Sequence, residues 1–257
     1  MDEREKLARI RLIQTRHIGP MTFSLLIQRY GSALAALAAI PDLAARGGRK
    51  LSIASLADAK AELAANDAAG ARLIWRDNDC YPLRLAQFDD APVTLSTRGN
   101  LHLLHKPMIA LVGARNASIN AIRHAETLAR ELGEAGYVIV SGMARGIDAA
   151  AHRGAMATGT VGVIAGGIDI IYPPENRALF QQIVDEGLLL AKMRPGTAPT
   201  PRHFPTRNRI IASLALGVVV IETAAKSGSL ITAREAGERG SEVMAIPGSP
   251  LDLRSNG

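Results

Sequence analysis

The sequence predicts an α/β protein: an extended, doubly wound, mostly parallel Rossmann-like sheet preceded by a small all-α domain. Three observations predict it. From Pro107 onward, short apolar and β-branched runs alternate with helical segments, the pattern of a parallel sheet covered on both faces. The first 75 residues are rich in Ala and Leu and lack strand-type alternation. A length of 257 residues suits one large domain or two unequal ones. The division expected is a helical unit over 1–75 and a sheet-based unit over 76–257, with 76–106 as a connector leading into its core.

In the helical unit, Leu7, Ile10, Leu12 and Ile13 sit near helical spacing, as do Leu25, Leu26, Ile27 and Tyr30. Between them Arg16-His17-Ile18-Gly19-Pro20 reads as a tight turn. Helix, glycine-containing turn, helix is the outline of a helix-hairpin-helix. Such a turn can offer backbone N–H groups to a phosphate or serve only as packing. Residues 61–69 read as the last helix. The connector carries the breakers Asp77-Asn78-Asp79, Tyr81-Pro82, Ala91-Pro92 and Arg98-Gly99-Asn100. Strands are then expected over 108–112, 137–140, 160–165, 188–191, 218–221 and 242–246. Helices are expected over 121–135, 147–158, 176–186, 207–216 and 230–238.

Composition bounds the function. Hydrophobic residues make up 47% and charged residues 21%, close to globular averages, which excludes wholesale disorder. The apolar stretches around 161–171 and 210–221 contain glycines and fall short of the ~20 residues of a membrane span. The charged start Met1-Asp-Glu-Arg-Glu-Lys lacks the apolar run of a signal peptide. A soluble cytosolic protein without a membrane partner is expected. The lone Cys80 cannot make an internal disulfide and reads as half-buried. His102 and His105 have no Cys or carboxylate cluster beside them, so no metal is expected. The net charge is +6, and its distribution says more than its size. Residues 187–221 hold no Asp or Glu, but do hold Lys192, Arg194, Arg202, Arg207 and Arg209. That run is either a phosphate-binding face or a solvated loop.

The loops after the strands carry the chemistry. They are Gly113-Ala114-Arg115-Asn116-Ala117-Ser118, Ser141-Gly142-Met143-Ala144-Arg145-Gly146, Gly166-Gly167-Ile168-Asp169, and Glu222-Thr223 followed by Ser227-Gly228-Ser229-Leu230. In an open α/β sheet these loops collect at one edge, where ligands bind. Glycines let a ligand approach the backbone, hydroxyls and guanidinium groups bond to it, and helix N-termini aim N–H groups at it. The set describes an anion pocket. The first loop lacks the second and third glycines of a dinucleotide fingerprint, and there is neither a Walker A sequence nor a nucleophile elbow, so no cofactor is expected. In Pro201–Arg209 two prolines suggest an extended approach to a helix beginning near Thr206. Arg207 and Arg209 lie on different faces of it, so one can reach a ligand while the other pairs with a neighbour. Phe204 either stacks on a base or anchors the loop. His152 reads as a packed polar residue at a close helix–sheet contact.

Taken together, Val112-Gly-Ala-Arg115, Ser141-Gly-Met-Ala-Arg-Gly-Ile-Asp148 with Ala151-His152, Tyr172-Pro173, Asn176, Phe204-Pro-Thr-Arg-Asn-Arg-Ile-Ile211, Ser227-Gly-Ser-Leu-Ile-Thr-Ala-Arg234 and Ala245-Ile-Pro-Gly248 resemble the DNA-processing protein A (DprA/Smf) family. The helical N-terminus resembles that family's helix-hairpin-helix or SAM-like domain. The resemblance implies a homodimer that binds single-stranded DNA, protects incoming strands and loads the RecA recombinase during natural transformation, without an enzymatic reaction. It implies a phosphate pocket built from Arg115, Ser141, Gly142, Arg145, Gly146, Gly166, Gly167, Arg207, Asn208, Arg209, Ser227, Gly228 and Ser229. The chain departs from the family pattern at Ala114, at Ala191-Lys192 and at Glu175, the last removing a basic contact. Ile231 and Met244 could form a self-pairing patch, or belong to the core. The alternative reading is a nucleoside-monophosphate phosphoribohydrolase similar to the lysine-decarboxylase-like (LOG) group, suggested by Thr232 and Glu235 after a Ser/Gly loop. Ser227 and Ser229 stand where that group has glycines.

Overall fold

The computed structural model of the chain describes residues 1–46, 52–225 and 227–248; residues 249–257 of the expected second unit lie outside the described residues. Four helices come first: α1 (Glu3–Gln14), α2 (Pro20–Tyr30), α3 (Ala33–Arg46) and α4 (Leu56–Ala68). Asp2 caps α1 by accepting from the Glu5 N–H at 2.8 Å. Glu5 in turn accepts from the Ala33 and Leu34 N–H groups at 2.8 and 3.2 Å, so one carboxylate starts the third helix from the first. Between α1 and α2, His17 takes a left-handed φ of 70°. Pro20 sits at the first position of α2, where its missing N–H costs nothing. Leu7, Ile10, Leu12, Phe23, Leu37 and Ile40 form the core of this unit.

The sheet has eight strands among the described residues: β1 (Arg72–Trp75), β2 (Thr94–Gly99), β3 (Met108–Gly113), β4 (Val138–Gly142), β5 (Thr160–Gly167), β6 (Leu188–Met193), β7 (Gly217–Ile221) and β8 (Glu242–Ala245). Their order is β1-β2-β6-β5-β4-β3-β7-β8. The strands from β6 to β8 in that order run parallel, while β2 pairs antiparallel with both β1 and β6. The crossovers are α6 (Ile119–Glu134), α7 (Ile147–Gly154), α8 (Arg177–Glu186), α9 (His203–Leu214) and α10 (Gly228–Glu238), and a one-turn helix, α5 (Leu83–Ala86), precedes β2. Successive strands step outward from β3 to β6. The chain then returns through α9 to place β7 on the other side of β3. The loops leaving β3 and β7 therefore diverge, opening a crevice at this switch point.

Three sequence expectations need correction. Residues 72–75 form a strand rather than part of a helical region, and the supposed connector contributes α5, β2 and a 3-10 turn at Leu101–His105. The reason is chemical. Strand β2 reads TLSTRG, and its hydroxyls are satisfied by partners distant in sequence: Ser96 donates to Asn66 Oδ1 at 2.7 Å, Thr97 to the Arg72 carbonyl at 2.7 Å, and Thr94 to the Ile74 carbonyl at 2.8 Å. A buried strand made acceptable by hydroxyl bonds leaves no apolar signature. Helix α9 also starts earlier than expected, at His203. Pro205 falls within its first turn, where no intrahelical N–H is required.

Candidate functional site

Two clefts meet at the switch point. One, of about 380 Å³, is lined by the end of β3 through Asn116, by Asp148, by Phe204, Arg207 and Asn208, and by Ser227, Gly228, Ser229 and Thr232. The other, of about 190 Å³, lies toward β5 and includes Arg145, Gly166, Tyr172, Glu175 and Pro199. Arg115, Ala144, Phe204 and Arg207 belong to both. Phe204 forms the ridge between them. The Arg115 guanidinium stands 5.3 Å from its ring centroid, that of Arg207 5.8 Å, and the Tyr172 ring 6.1 Å away at a tilt of 59°. Both cations lie over the electron-rich ring, and Arg115 is near enough for its charge to act on Arg207. The site thus offers positive charge and aromatic surface in one place.

The two arginines differ in kind. Arg115 is exposed, and among the described residues no carboxylate lies within ion-pair distance of it. Arg207 is buried, with Nη1 3.7 Å from Oδ2 of Asp148, also buried, on the first turn of α7. Burial pushes the Asp148 carboxyl above its ordinary range, and the Arg207 charge pulls it part of the way back. Burial lowers the pKa of the guanidinium too. The pair is long for a charge-assisted contact, and Arg207 Nε has no hydrogen-bond partner. A guanidinium that lines both clefts and is only loosely paired suits an anionic ligand there.

Gly142 and Gly146 make this arrangement possible. A Cβ on Gly142 would overlap the Arg207 guanidinium, and Gly146, at φ 71°, lets the start of α7 meet the backbone of Ala114 and Arg115. Behind Gly142 lies His152, fully buried on α7. Its Nε2 is 2.7 Å from the Gly142 carbonyl and its Nδ1 2.7 Å from Thr160 Oγ1. A carbonyl can only accept, so Nε2 carries the proton; in the neutral ring Nδ1 then competes with the Ile139 carbonyl, 3.0 Å from the same oxygen, for the single proton of the Thr160 hydroxyl. Burial holds the ring neutral, lowering its pKa to about 4. His152 is the packed polar residue expected from its position.

Of the residues expected at the pocket, Arg115, Arg145, Gly166, Arg207, Asn208, Ser227, Gly228 and Ser229 line the clefts. The others stand behind or beside them. Ser141 is buried and donates to the Leu111 carbonyl at 2.6 Å, and a Cβ on Gly167 would meet the Arg194 carbonyl. Arg209 turns away to Glu235, 3.3 Å distant. Asn208 donates to the Gly228 carbonyl at 3.2 Å, tying α9 to the start of α10, where Ser227 caps the helix. Asp148 joins the site as the partner of Arg207. Its one sequence signal is a carboxylate in the first helical turn after a glycine loop. Asn116 stands in the first glycine loop without being expected to line the pocket, and Thr232 is marked in the sequence only by the hydrolase alternative. Among the described residues no group of three or more His, Cys, Asp or Glu could hold a metal ion, and no single helix is long and apolar enough to cross a membrane.

Comparison with known proteins identifies relatives of both parts of the chain. The family described as DNA recombination-mediator protein A matches residues 72–257, and that described as the DprA-like N-terminal HHH domain matches residues 3–65. The chain is similar to DNA processing protein DprA of Streptococcus pneumoniae, with 47% identity over 182 residues covering 70% of this chain and 64% of that protein. It is similar to Protein Smf of Escherichia coli, with 39% identity covering 68% of this chain and 48% of the other. The chain therefore spans about half to two thirds of the length of these curated relatives. Among solved structures, DprA from S. pneumoniae superposes with a TM-score of 0.73 at 42% identity, covering 79% of this chain and 70% of that one. DNA processing protein A from Helicobacter pylori, described for its single-stranded DNA binding mode, superposes with a TM-score of 0.67 at 30% identity, covering 73% and 86%.

Proposed function

The chain belongs to the DNA recombination-mediator protein A family, and from that premise we propose that it binds single-stranded DNA along the two clefts at the β3/β7 switch point. The observation that carries this reading is the ridge of Phe204 flanked by Arg115 and Arg207, the latter buried with an unpartnered donor. Guanidinium groups and the start of α10 bond to phosphates, and aromatic faces stack on bases without reading sequence. A single strand can splay its bases onto such a ridge, whereas a paired duplex cannot. The H. pylori relative, described by its single-stranded DNA binding, supports the same assignment.

Arg115, Arg145, Arg207, Asn208 and the Ser227-Gly228-Ser229 turn make the contacts in this proposal. Ser141, Gly142, Gly146, Gly167 and Arg209 shape the walls behind them. The chain acts by binding, not by catalysis, and hands the strand to a RecA-type recombinase in DNA processing or natural transformation, as a cytoplasmic homodimer. Ile231, Val243 and Met244 are exposed near the β8 edge, where two copies could pair isologously. Its two domains in this reading are the helical unit and the sheet unit that begins with β1 at Arg72, slightly before the expected division at 75/76. The test is a titration of labelled single-stranded and duplex oligonucleotides at two salt concentrations. Tighter binding of the single strand, weakening steeply with salt, is expected. Equal affinity for blunt duplex, or release of free base from a nucleoside monophosphate, would overturn the reading.

A further inference from the structure

The smaller cleft contains a carboxylate that a polyanion site would be expected to avoid. Glu175 is the only Asp or Glu lining it among the described residues, in a wall that also holds Arg115, Arg145 and Arg207. Its Oε1 lies 3.6 Å from Nη1 of Arg145, and both side chains are about half exposed. The placement is built into the fold. Glu175 sits in the 3-10 turn Pro174–Asn176 that starts α8. The next residue, Asn176, is buried and donates from Nδ2 to the carbonyls of Met143 at 2.9 Å and Ala144 at 3.2 Å. One buried amide thus pins the acidic turn against the loop that carries Arg145.

We propose that Glu175 is an internal competitor for Arg145: its carboxylate occupies, in the free protein, the guanidinium that a DNA phosphate would take, and so sets the affinity of the smaller cleft. The inference rests on the single-strand reading of the crevice. A phosphate reaching Arg145 must displace the carboxylate or share the cation with it. Like charge within a few ångströms opposes the second course, screened by water at this exposed place. The binding step that engages Arg145 is therefore an exchange of one anion for another. It gains less than a phosphate meeting a free arginine would.

Binding of a labelled oligothymidylate by the full chain, followed by fluorescence anisotropy, tests this with Glu175→Gln, Arg145→Ala, the double variant and Arg115→Ala. Glu175→Gln keeps size and hydrogen-bonding capacity while removing the charge. It is expected to bind about two- to five-fold tighter, since surface ion pairs are modest and ~1.4 kcal/mol is a decade. Its salt dependence should steepen by about 0.7 in log–log slope, one further counterion released from a single strand. In the Arg145→Ala background the same change should gain less than about two-fold, because the competed cation is gone. A Glu175→Gln affinity within two-fold of wild type, while Arg115→Ala still weakens binding, overturns the inference and leaves the single-strand reading standing. An equal gain with and without Arg145 also overturns it, as a general effect of net charge. If neither wild type nor Glu175→Gln binds, the reading of the crevice fails and the inference with it. Should Glu175→Gln lower the melting temperature, Glu175→Ala in the same four-way comparison decides the matter.

Discussion

The guanidinium of Arg115 stands over the ring of Phe204, 5.3 Å from its centroid, in an exposed position where no carboxylate competes for it among the described residues. Asp148 and Glu222, carboxylates on the neighbouring loops at this sheet edge, are committed elsewhere. Asp148 faces Arg207. Glu222 accepts from the backbone N–H and hydroxyl of Ser118 at the start of α6. The arginine is thus oriented by an aromatic face and left with its fork of donors unused.

Arg115→Ala is accordingly expected to weaken single-strand binding by roughly 10- to 100-fold, the size of a charge-assisted phosphate contact of about 1.5–3 kcal/mol. The melting temperature should hardly change, because no buried group loses a partner. Arg115→Lys should recover only part of the loss, since an ammonium lacks the fork and stacks less well. Affinity and melting measured on the same preparation check both statements. Lost stability with normal affinity per folded molecule would remove Arg115 from the interface.

Much of this arrangement can be read from the residues. The central strands are apolar runs of β-branched residues, and Ser227 caps α10 as a Ser before a helical segment should. The glycine-rich turns follow strands at one sheet edge because a parallel sheet leaves its loops nowhere else to go. What escaped was structure held by polar bonds. Strand β2 hides Ser96 and Thr97 by pairing their hydroxyls with Asn66 and the Arg72 carbonyl, and local pattern cannot see partners 25 to 30 residues away. The split between Arg207, facing inward, and Arg209, paired with Glu235, follows from their two-residue spacing. Which of them faces inward depended on the return of α9 across the sheet.

Asp148→Ala should lower stability markedly, because it leaves the Arg207 guanidinium buried without its counter-charge. Breaking such a pair typically costs about 3–5 kcal/mol, or roughly 6–20 °C in melting temperature for a chain of this size. Arg207 faces a cleft, so an added oligonucleotide should restore more of the melting temperature in this variant than it adds to wild type. A variant as stable as wild type would show that the 3.7 Å pair contributes nothing.

His152 makes stability depend on pH, and the sign follows from its burial. Its pKa is lowered to about 4 in the folded chain, against 6.5 for an unperturbed ring. Between those values the unfolded chain takes up a proton that the native chain does not, so stability rises with pH across that interval. The contribution is fully present above about pH 6.5 and falls as the pH drops toward 4. At most it is roughly 3 kcal/mol, at about 1.4 kcal/mol per unit. Urea unfolding of wild type between pH 4 and 7.5, set against His152→Gln, isolates this from the carboxylates. The wild-type curve should be the steeper, and parallel curves would contradict the assignment.

Gly142→Ala adds a single methyl where the structure has no room for one. The carbonyl of this residue is held by His152 at 2.7 Å, so the end of β4 cannot simply move away. On its other side the Cβ would overlap Arg207 and come within 2.6 Å of Asp148 Oδ2. The guanidinium is the part able to yield, and yielding takes it away from both Asp148 and the ring of Phe204. Two consequences should appear together: a destabilisation of about 1–3 kcal/mol, typical of overpacking, and a loss of single-strand affinity of about ten-fold or more as Arg207 leaves the ridge. The pairing of the two effects is diagnostic. Gly136→Ala, at a position with φ 94° and nothing within 4 Å of the added atom, should destabilise through backbone strain alone and leave the affinity of the folded protein unchanged. Thermal unfolding and anisotropy on the two variants separate the cases. Equal affinity in both would mean that Gly142 serves the packing of β4 and not the placement of Arg207.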